Sequence, residues 1–509
     1  MFMSAQAYRD SLRAYRPRVY LDGREVDSVA DEPAFEPGIN AVGVTYDFAL
    51  QADCRPWMVA TESSSGLEVN RMLHINRSPD DLLTKLEAVR LLCRESGCAQ
   101  RYLSHDALNA IHESSYQMES EGCGDYHQRF LAYLHDIQDR DLTLGVAMTD
   151  GKGDRSLRPH AQHHPDSYVR ITERRADGIV IRGVKAIVTG APYMHELLVM
   201  PCRNMVEADA DYAVCCAVPL DAEGLTIVAR PAGRPGDRAA RFSGRYGQST
   251  GVCYFEDVFV PYERVFMAGE WAFSGELVNS YAAHHRHSCI GARAGFGDLL
   301  IGAGALMSEA NGLPAKKHPH IRNSMVELIK IVEGFFACGV AASVYGIEQS
   351  SSVWQPEPVF ANVGKLLLAN QIYEMHRAAH EVSGGLIVAL PGPDEDHNPS
   401  TAGDLAAVLQ ARSDIPHDRR MDVSRFIGDI TASETGGWYS VISLHGGGSP
   451  EAMKREIFRR YPVEEREALV TRLLDRGAIV NAQTGAPARL RQPGQCCPTG
   501  CKAPDIPGG

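Results

Sequence analysis

No apolar run in the 509 residues approaches the ~18–20 needed to cross a bilayer, so the composition predicts no membrane span. Basic charge is not in excess either. The formal net charge of −13 argues against nucleic acid or an anionic membrane as the main partner. The opening stretch "MFMSAQAYRDSLRAYRPRVY" carries charges where a secretory leader needs its apolar segment, and a cytoplasmic location is expected. Alternating strand–helix–strand units are missing, which argues against a doubly wound sheet, and no internal repeat is evident. Cysteine is not scarce, but its 13 copies are odd in number and scattered singly. In a long cytoplasmic chain most of them read as reduced, small core residues. Cys496, Cys497 and Cys501 differ, because they lie in the Pro/Gly-rich "GQCCPTGCKAPDIPGG". That tail, 486–509, reads as disordered, with a metal or redox role as the alternative.

Three composition regimes follow one another, and they predict an α+β chain. Residues 1–140 have helical apolar spacing, as in "DDLLTKLEAVRLLCRE" and "DYHQRFLAYLHDIQDRD". Residues 141–275 turn to β pattern. "SYVRITERRADGIVIRGVKAIVTGA" reads as a hairpin joined at Ala176-Asp177-Gly178, and "HELLVMPC", "DYAVCCAVPL" and "GVCYFEDVFVP" continue the alternation. Residues 276–485 return to long helical segments. In "SLHGGGSPEAMKREIF", Ser449 is a natural N-cap, and Gly446, Gly447 and Gly448 before it would let an anion approach the helix end. The densest metal-capable group is in "YAAHHRHSCIGARAG", where His284, His285, His287 and Cys289 crowd together. On a helix His285 and Cys289, four apart, share a face, whereas His284 and His287 point away from His285; two ligands on one helix rarely suffice for a metal. No metal is expected there.

Several blocks occur in an order that resembles one superfamily. They are "DLTLGVAMTDGKGDRSLRP", "GVKAIVTGA", "YFEDVFVPYERVF", "HHRHS", "GDLLIGAGAL" and "LHGGGSPEAM". Together they resemble the superfamily that joins 4-hydroxyphenylacetate 3-hydroxylases with 4-hydroxybutyryl-CoA dehydratases, with wording nearer to the dehydratase branch. The resemblance implies an acyl-CoA-dehydrogenase-like architecture: helical N-terminal domain, β-barrel-like middle domain and C-terminal helical bundle, in a homotetramer. Both branches use FAD. The hydroxylases receive it reduced from a separate reductase and oxygenate a phenol, whereas the dehydratases add a [4Fe–4S] cluster and act on a CoA thioester.

Residue by residue, the chain departs from both branches. The dehydratase cluster takes two cysteines spaced C-x-x-x-C, a histidine, and a cysteine seven residues after it. Here those positions hold Cys98, Tyr102, His285 and Ala292. A cluster is held mainly by thiolates, so none is expected. The family's glutamate base falls on Ile442, its β-domain glutamate on the Ser249-Thr250 region, and its cluster-proximal tyrosine on Cys289. Against the hydroxylases, Tyr102 keeps its place, but Cys98 replaces an arginine and Val146 a histidine.

The flavin elements are better kept. Met148, Thr149 and Lys152 match the loop over the flavin ring, Thr189 and Gly190 its N5/O4 edge, and Gly446, Gly447 and Ser449 the later loop. Tyr102, His285 and Cys289 are the expected catalytic residues, with Cys98, Val146 and Arg293 toward the substrate. The expectation is a flavin-dependent oxidoreductase, foremost a reduced-FAD monooxygenase, acting on a small or carrier-bound substrate. The alternative is a cluster-free flavoenzyme for an acyl-CoA-type thioester.

Overall fold

Small residues decide how closely the central helices approach. Helix Trp271–Ala310 is 40 residues long and buries side chains on all sides, the pattern of a helix at the centre of a bundle. By length and composition it could cross a membrane, but 61% of its most apolar window is buried inside the protein. It packs against helices Pro79–Ser96, Tyr102–Ser120, Pro319–Val344, Pro358–Ser383 and His417–Thr431. The first of these comes so near that a Cβ on Gly295 would lie 2.4 Å from the Arg90 carbonyl oxygen, and one on Gly291 2.7 Å from that of Leu86.

The computed structural model describes residues 2–62 and 65–474, and Met1–Arg459 form one compact unit. The remainder of the described chain, from Arg460, contains helix Val463–Leu474. Residues 475–485 of the expected helical bundle and the tail with Cys496, Cys497 and Cys501 lie outside the described residues.

The order is helical, then β, then helical, as expected. Helix Pro79–Ser96 starts on a Ser78 side-chain cap with Pro79 and two aspartates in its first turn. It stops at Gly97, whose φ of 66° favours glycine. Strands Arg170–Arg174 and Gly178–Thr189 pair antiparallel across the expected turn, with Arg174 opposite Ile179. They sit at one edge of a six-stranded sheet that continues through Thr250–Pro261 and Leu225–Ala229. A four-stranded sheet runs Val265–Ala268, Val214–Pro219, Glu196–Val199, Leu144–Ala147.

One expectation needs correction. The segment 1–140 is not wholly helical, because Arg18–Leu21 runs parallel to Leu225–Ala229 within the six-stranded sheet. Four residues with an exposed–buried–intermediate–buried pattern are too few to show alternation inside a helical neighbourhood. The N-terminal region therefore threads the β domain and supplies it with an inner strand.

Gly295→Ala should cost about 1–3 kcal/mol, because the added methyl must push two helices apart. Gly334→Ala, on a helix face with nothing within 4 Å of the new Cβ, should be neutral or stabilising by about 0.5–1 kcal/mol. Urea denaturation of the two variants checks both.

Candidate active site

The stop at Gly97 creates the site. A Cβ there would meet the Tyr439 hydroxyl at 2.2 Å, so the chain turns sharply against the last helices. The following loop carries Cys98, a left-handed Gln100 (φ 57°) and the fully buried Arg101, before helix Tyr102–Ser120 begins. Arg101 Nη2 donates to the Asp141 carboxylate at 2.5 Å and to the Leu142 carbonyl at 2.9 Å. Ser104 Oγ donates to the Leu144 carbonyl at 2.8 Å. These bonds lock the loop to the β domain and aim Cys98 and Tyr102 at the middle of helix Trp271–Ala310.

Between them lies a small cavity of about 50 Å³. Tyr102, His285, Cys289 and Arg293 form one side of it. Thr189 and Gln248 come from the β domain, and Lys365, Ser443 and Gly446 from the C-terminal helices. Cys98 Sγ and the Tyr102 hydroxyl lie 3.1 Å apart. Cys289 Sγ is 3.6 Å from His285 Nε2, and His285 Nδ1 is 3.1 Å from Asp106 Oδ2. Ser288 Oγ donates to Asp106 Oδ1 at 2.6 Å, and Lys85 Nζ stands 3.6 Å from the same oxygen. Arg293 Nε donates to Ser443 Oγ at 2.6 Å, and Lys365 Nζ to the Ser443 carbonyl at 2.6 Å.

Burial works against every charge here, yet some charges are held. Burial would raise the Asp106 pKa, but the Lys85 ammonium, the nearby His105 and the bonded His285 hold its carboxyl far below the usual range. Burial would lower His285, but Cys289 and Asp106 raise it to about 10. Burial would raise Cys289, yet His285, Lys365 and Arg293 draw it down to about 7. Burial lowers Lys365 to about 8. Tyr102 is pushed well above the ordinary phenol range by burial and by the neighbouring thiols. The arrangement thus favours the thiolate of Cys289 beside a protonated His285, keeps the Tyr102 phenol neutral, and adds Arg293 and Lys365 on the same wall.

Seven expected site residues line this one cavity: Cys98, Tyr102, Thr189, His285, Cys289, Arg293 and Gly446. Gly447 lies beside it, its carbonyl accepting from Arg286 Nε at 2.9 Å. Ser449 Oγ accepts from the Ala452 amide at 3.3 Å, the N-cap expected for helix Pro450–Arg460. Met148, Thr149 and Lys152 are half-buried in the loop after strand Leu144–Ala147, off the cavity wall. Lys185 anchors that loop, donating to the Met148 carbonyl at 3.0 Å and pairing with Asp150 at 2.7 Å. Val146 is a core residue of the β domain rather than a cavity residue. The Gly190 amide is not free for a ligand, since it donates to the Ser249 carbonyl at 2.9 Å.

Asp106, Lys85, Lys365, Gln248 and Ser443 escaped the sequence reading. A faint signal existed for two of them: "LSHDALNAI" and "NVGKLLLAN" each set a charge inside an otherwise apolar helical stretch. His284 turns away from the cavity, and both its ring nitrogens are buried without a hydrogen-bond partner. His287 bridges Lys85 Nζ at 2.9 Å and Ser343 Oγ at 2.8 Å. Among the described residues no group of three or more His, Cys, Asp or Glu is placed to hold a metal ion.

A cavity lined by a thiol, an imidazole, a phenol and two cationic side chains, with shifted pKa values among them, is a candidate active site. The chain belongs to the 4-hydroxyphenylacetate 3-hydroxylase family: the family's N-terminal model matches residues 4–267 and its C-terminal model 274–475. It is 35% identical over 487 residues to the 4-hydroxybutyryl-CoA dehydratase/vinylacetyl-CoA-Delta-isomerase of Clostridium aminobutyricum, covering 92% of this chain and 98% of that one. An oxygen-tolerant archaeal 4-hydroxybutyryl-CoA dehydratase from N. maritimus superposes with a TM-score of 0.89 at 34% identity, over 93% and 95% of the two chains. The oxygenase component of 4-hydroxyphenylacetate 3-monooxygenase, complexed with FAD, shares the fold with a TM-score of 0.82 at 21% identity, over 93% and 98%.

Asp106→Asn should destabilise the protein by about 3–5 kcal/mol, because it strips a buried ammonium and a buried imidazolium of their counter-charge. The folded Asp106 pKa lies below its unfolded value of ~3.9, so its contribution is intact above that pH and fades as pH falls. Guanidinium unfolding followed down the acid range should therefore show a shallower loss in the variant than in the parent.

Proposed function

We propose that this chain is a flavin-dependent oxidoreductase, a monooxygenase that takes reduced FAD from a separate reductase and works as a cytoplasmic homotetramer. The observation that carries the reading is the cavity, in which Thr189 and Gln248 of the β domain face Tyr102, His285 and Cys289. Thr189, the Met148–Lys152 loop and the segment with Gly446, Gly447 and Ser449 would hold the flavin. A further feature supports this. A bulge before Thr189 leaves Ile187 at φ 63° with 63% of its surface exposed. A β-branched residue with positive φ is strained, and such strain gathers at ligand sites. FAD, when bound, supplies the electrons by which dioxygen is activated.

The protein's own groups have separate tasks. Arg293 and Lys365 bind an anionic portion of the substrate and offset its charge. Tyr102 keeps its proton and orients the reacting group. Asp106 accepts from His285 Nδ1 and so turns Nε2 toward the cavity; with its pKa raised, the ring also carries a proton on Nε2 that it can donate. The surrounding apolar walls, Ala292, Leu368 and Ile442 among them, exclude water.

A [4Fe–4S] cluster does not fit these residues. Cys98 is engaged with the Tyr102 hydroxyl, and the buried Ala292 presents a methyl group where a thiolate is needed. The 35% identity to a dehydratase favours a second reading, a cluster-free flavoenzyme acting on an acyl-CoA-type thioester by dehydrogenation, dehydration or isomerisation. Ile442, on the cavity wall, cannot act as the base that proton abstraction requires.

The purified protein should bind FAD and contain no stoichiometric iron, as read by its absorption spectrum and by elemental analysis. On rapid mixing of the reduced flavoprotein with oxygen, a transient absorbance band should precede full reoxidation. Slow, featureless reoxidation would favour the thioester reading, and four irons per chain would refute both.

A further inference from the structure

Cys289 stands where two independent observations meet. The first is a chain of contacts. It links Cys289 Sγ, His285 and Asp106, at 3.6 Å and 3.1 Å, with His285 and Cys289 four residues apart on one helix face. Asp106 is itself pinned by Ser288 and Lys85. A thiol beside an imidazole that a third group orients is the arrangement of an activated nucleophile. The half-buried sulfur opens on the cavity and is accessible from it.

The second observation concerns charge left over in the same cavity. Arg293 Nη1 is fully buried and has no hydrogen-bond partner. Lys365 Nζ meets only a backbone carbonyl, and among the described residues neither cation has a carboxylate in ion-pair range. A buried guanidinium with a free edge, beside a lysine with no counter-ion, leaves room for an anionic group. Other groups near the sulfur are Lys85 and Cys93 from helix Pro79–Ser96, Cys98 and Tyr102 from the loop and helix that follow, and Tyr281 and Arg286 from its own helix. None of these is a carboxylate; the one carboxylate close by, Asp106, lies behind His285 and is taken up by Lys85, Ser288 and His285.

We propose that Cys289 is a covalent nucleophile for an α,β-unsaturated carboxylic acid whose carboxylate is held by Arg293 and Lys365. The Sγ lone pair forms a bond to the β-carbon. The π pair of the alkene moves to the α-carbon, which takes the proton from His285 Nε2. The sum is addition of S–H across the double bond, with no oxidant or reductant, and the reverse elimination restores the free thiolate and the charged imidazole. Arg293 and Lys365 also offset the charge that builds on the carboxyl oxygens as the π pair moves. The proposal rests on the reading that this cavity is the active cavity, but it does not depend on which flavin reaction occurs there.

Alkylation of the full-length protein at neutral pH, followed by peptide mass mapping, tests it. Iodoacetate should label Cys289 at least about ten-fold faster than neutral iodoacetamide, because the cavity's cations concentrate anions. Cys54, partly exposed and beside Asp53, should show the reverse order in the same sample. Lys365→Met should bring the Cys289 rate ratio toward that of Cys54. Incubation with maleate should add one maleate mass to the Cys289 peptide, and His285→Asn should abolish that adduct. Equal or slower labelling of Cys289 by iodoacetate, or no maleate adduct in the unaltered protein, would overturn the proposal. Both decisive readings come from the unaltered chain, so a variant that fails to fold does not affect them. Flavin and iron contents are measured separately, so failure here is distinguishable from failure of the oxidoreductase reading.

Discussion

The Asp106 carboxylate is the constraint on which the site depends. Fully buried, it gathers Lys85 from helix Pro79–Ser96 and His285 and Ser288 from helix Trp271–Ala310, while sitting on helix Tyr102–Ser120 itself. Three helices are joined at one ion. Such an ion is costly to desolvate, and it survives only because its oxygens are filled by donors. The cost is offset in function: the same carboxylate fixes which nitrogen of His285 faces the cavity, and His285 in turn favours the thiolate of Cys289.

The backbone around this network is shaped for close approach. Gly291 and Gly295 let helix Pro79–Ser96 run near enough for Lys85 to reach Asp106, and a side chain at either position would hold the helices apart. Gly97 and Gln100, both with positive φ, turn the chain between two helices so that Cys98 and Tyr102 face the cavity. On the far side, the bulge at Ile187 shapes the strand that brings Thr189 to the cavity wall. Helical and β parts thus each contribute one wall, and neither alone would make a site.

Legibility in the sequence followed the range of the interactions. The three-part order was readable because apolar periodicity is local, and the hairpin at Ala176–Gly178 because turn chemistry is local. That Tyr102, His285 and Cys289 share a cavity was readable through positions matched to the family. Strand Arg18–Leu21 was not, since its partner Leu225–Ala229 lies some two hundred residues away and parallel pairing leaves no turn to mark it. Asp106 and Lys365 were hidden for a related reason. A lone charge in an apolar helix signals burial, but its partner is set by packing. Val146 and the Gly190 amide show the converse: a matched position locates a residue without saying whether its polar group is free or its side chain reaches the cavity.

A double-mutant cycle between Lys85 and Asp106, with Lys85→Met, Asp106→Leu and the pair, measures how far the carboxylate organises the helices. Each single change should be strongly destabilising and the double variant should recover part of the loss, with a coupling of about 1–3 kcal/mol by denaturant unfolding. Strictly additive losses would mean that the buried carboxylate does not organise these helices.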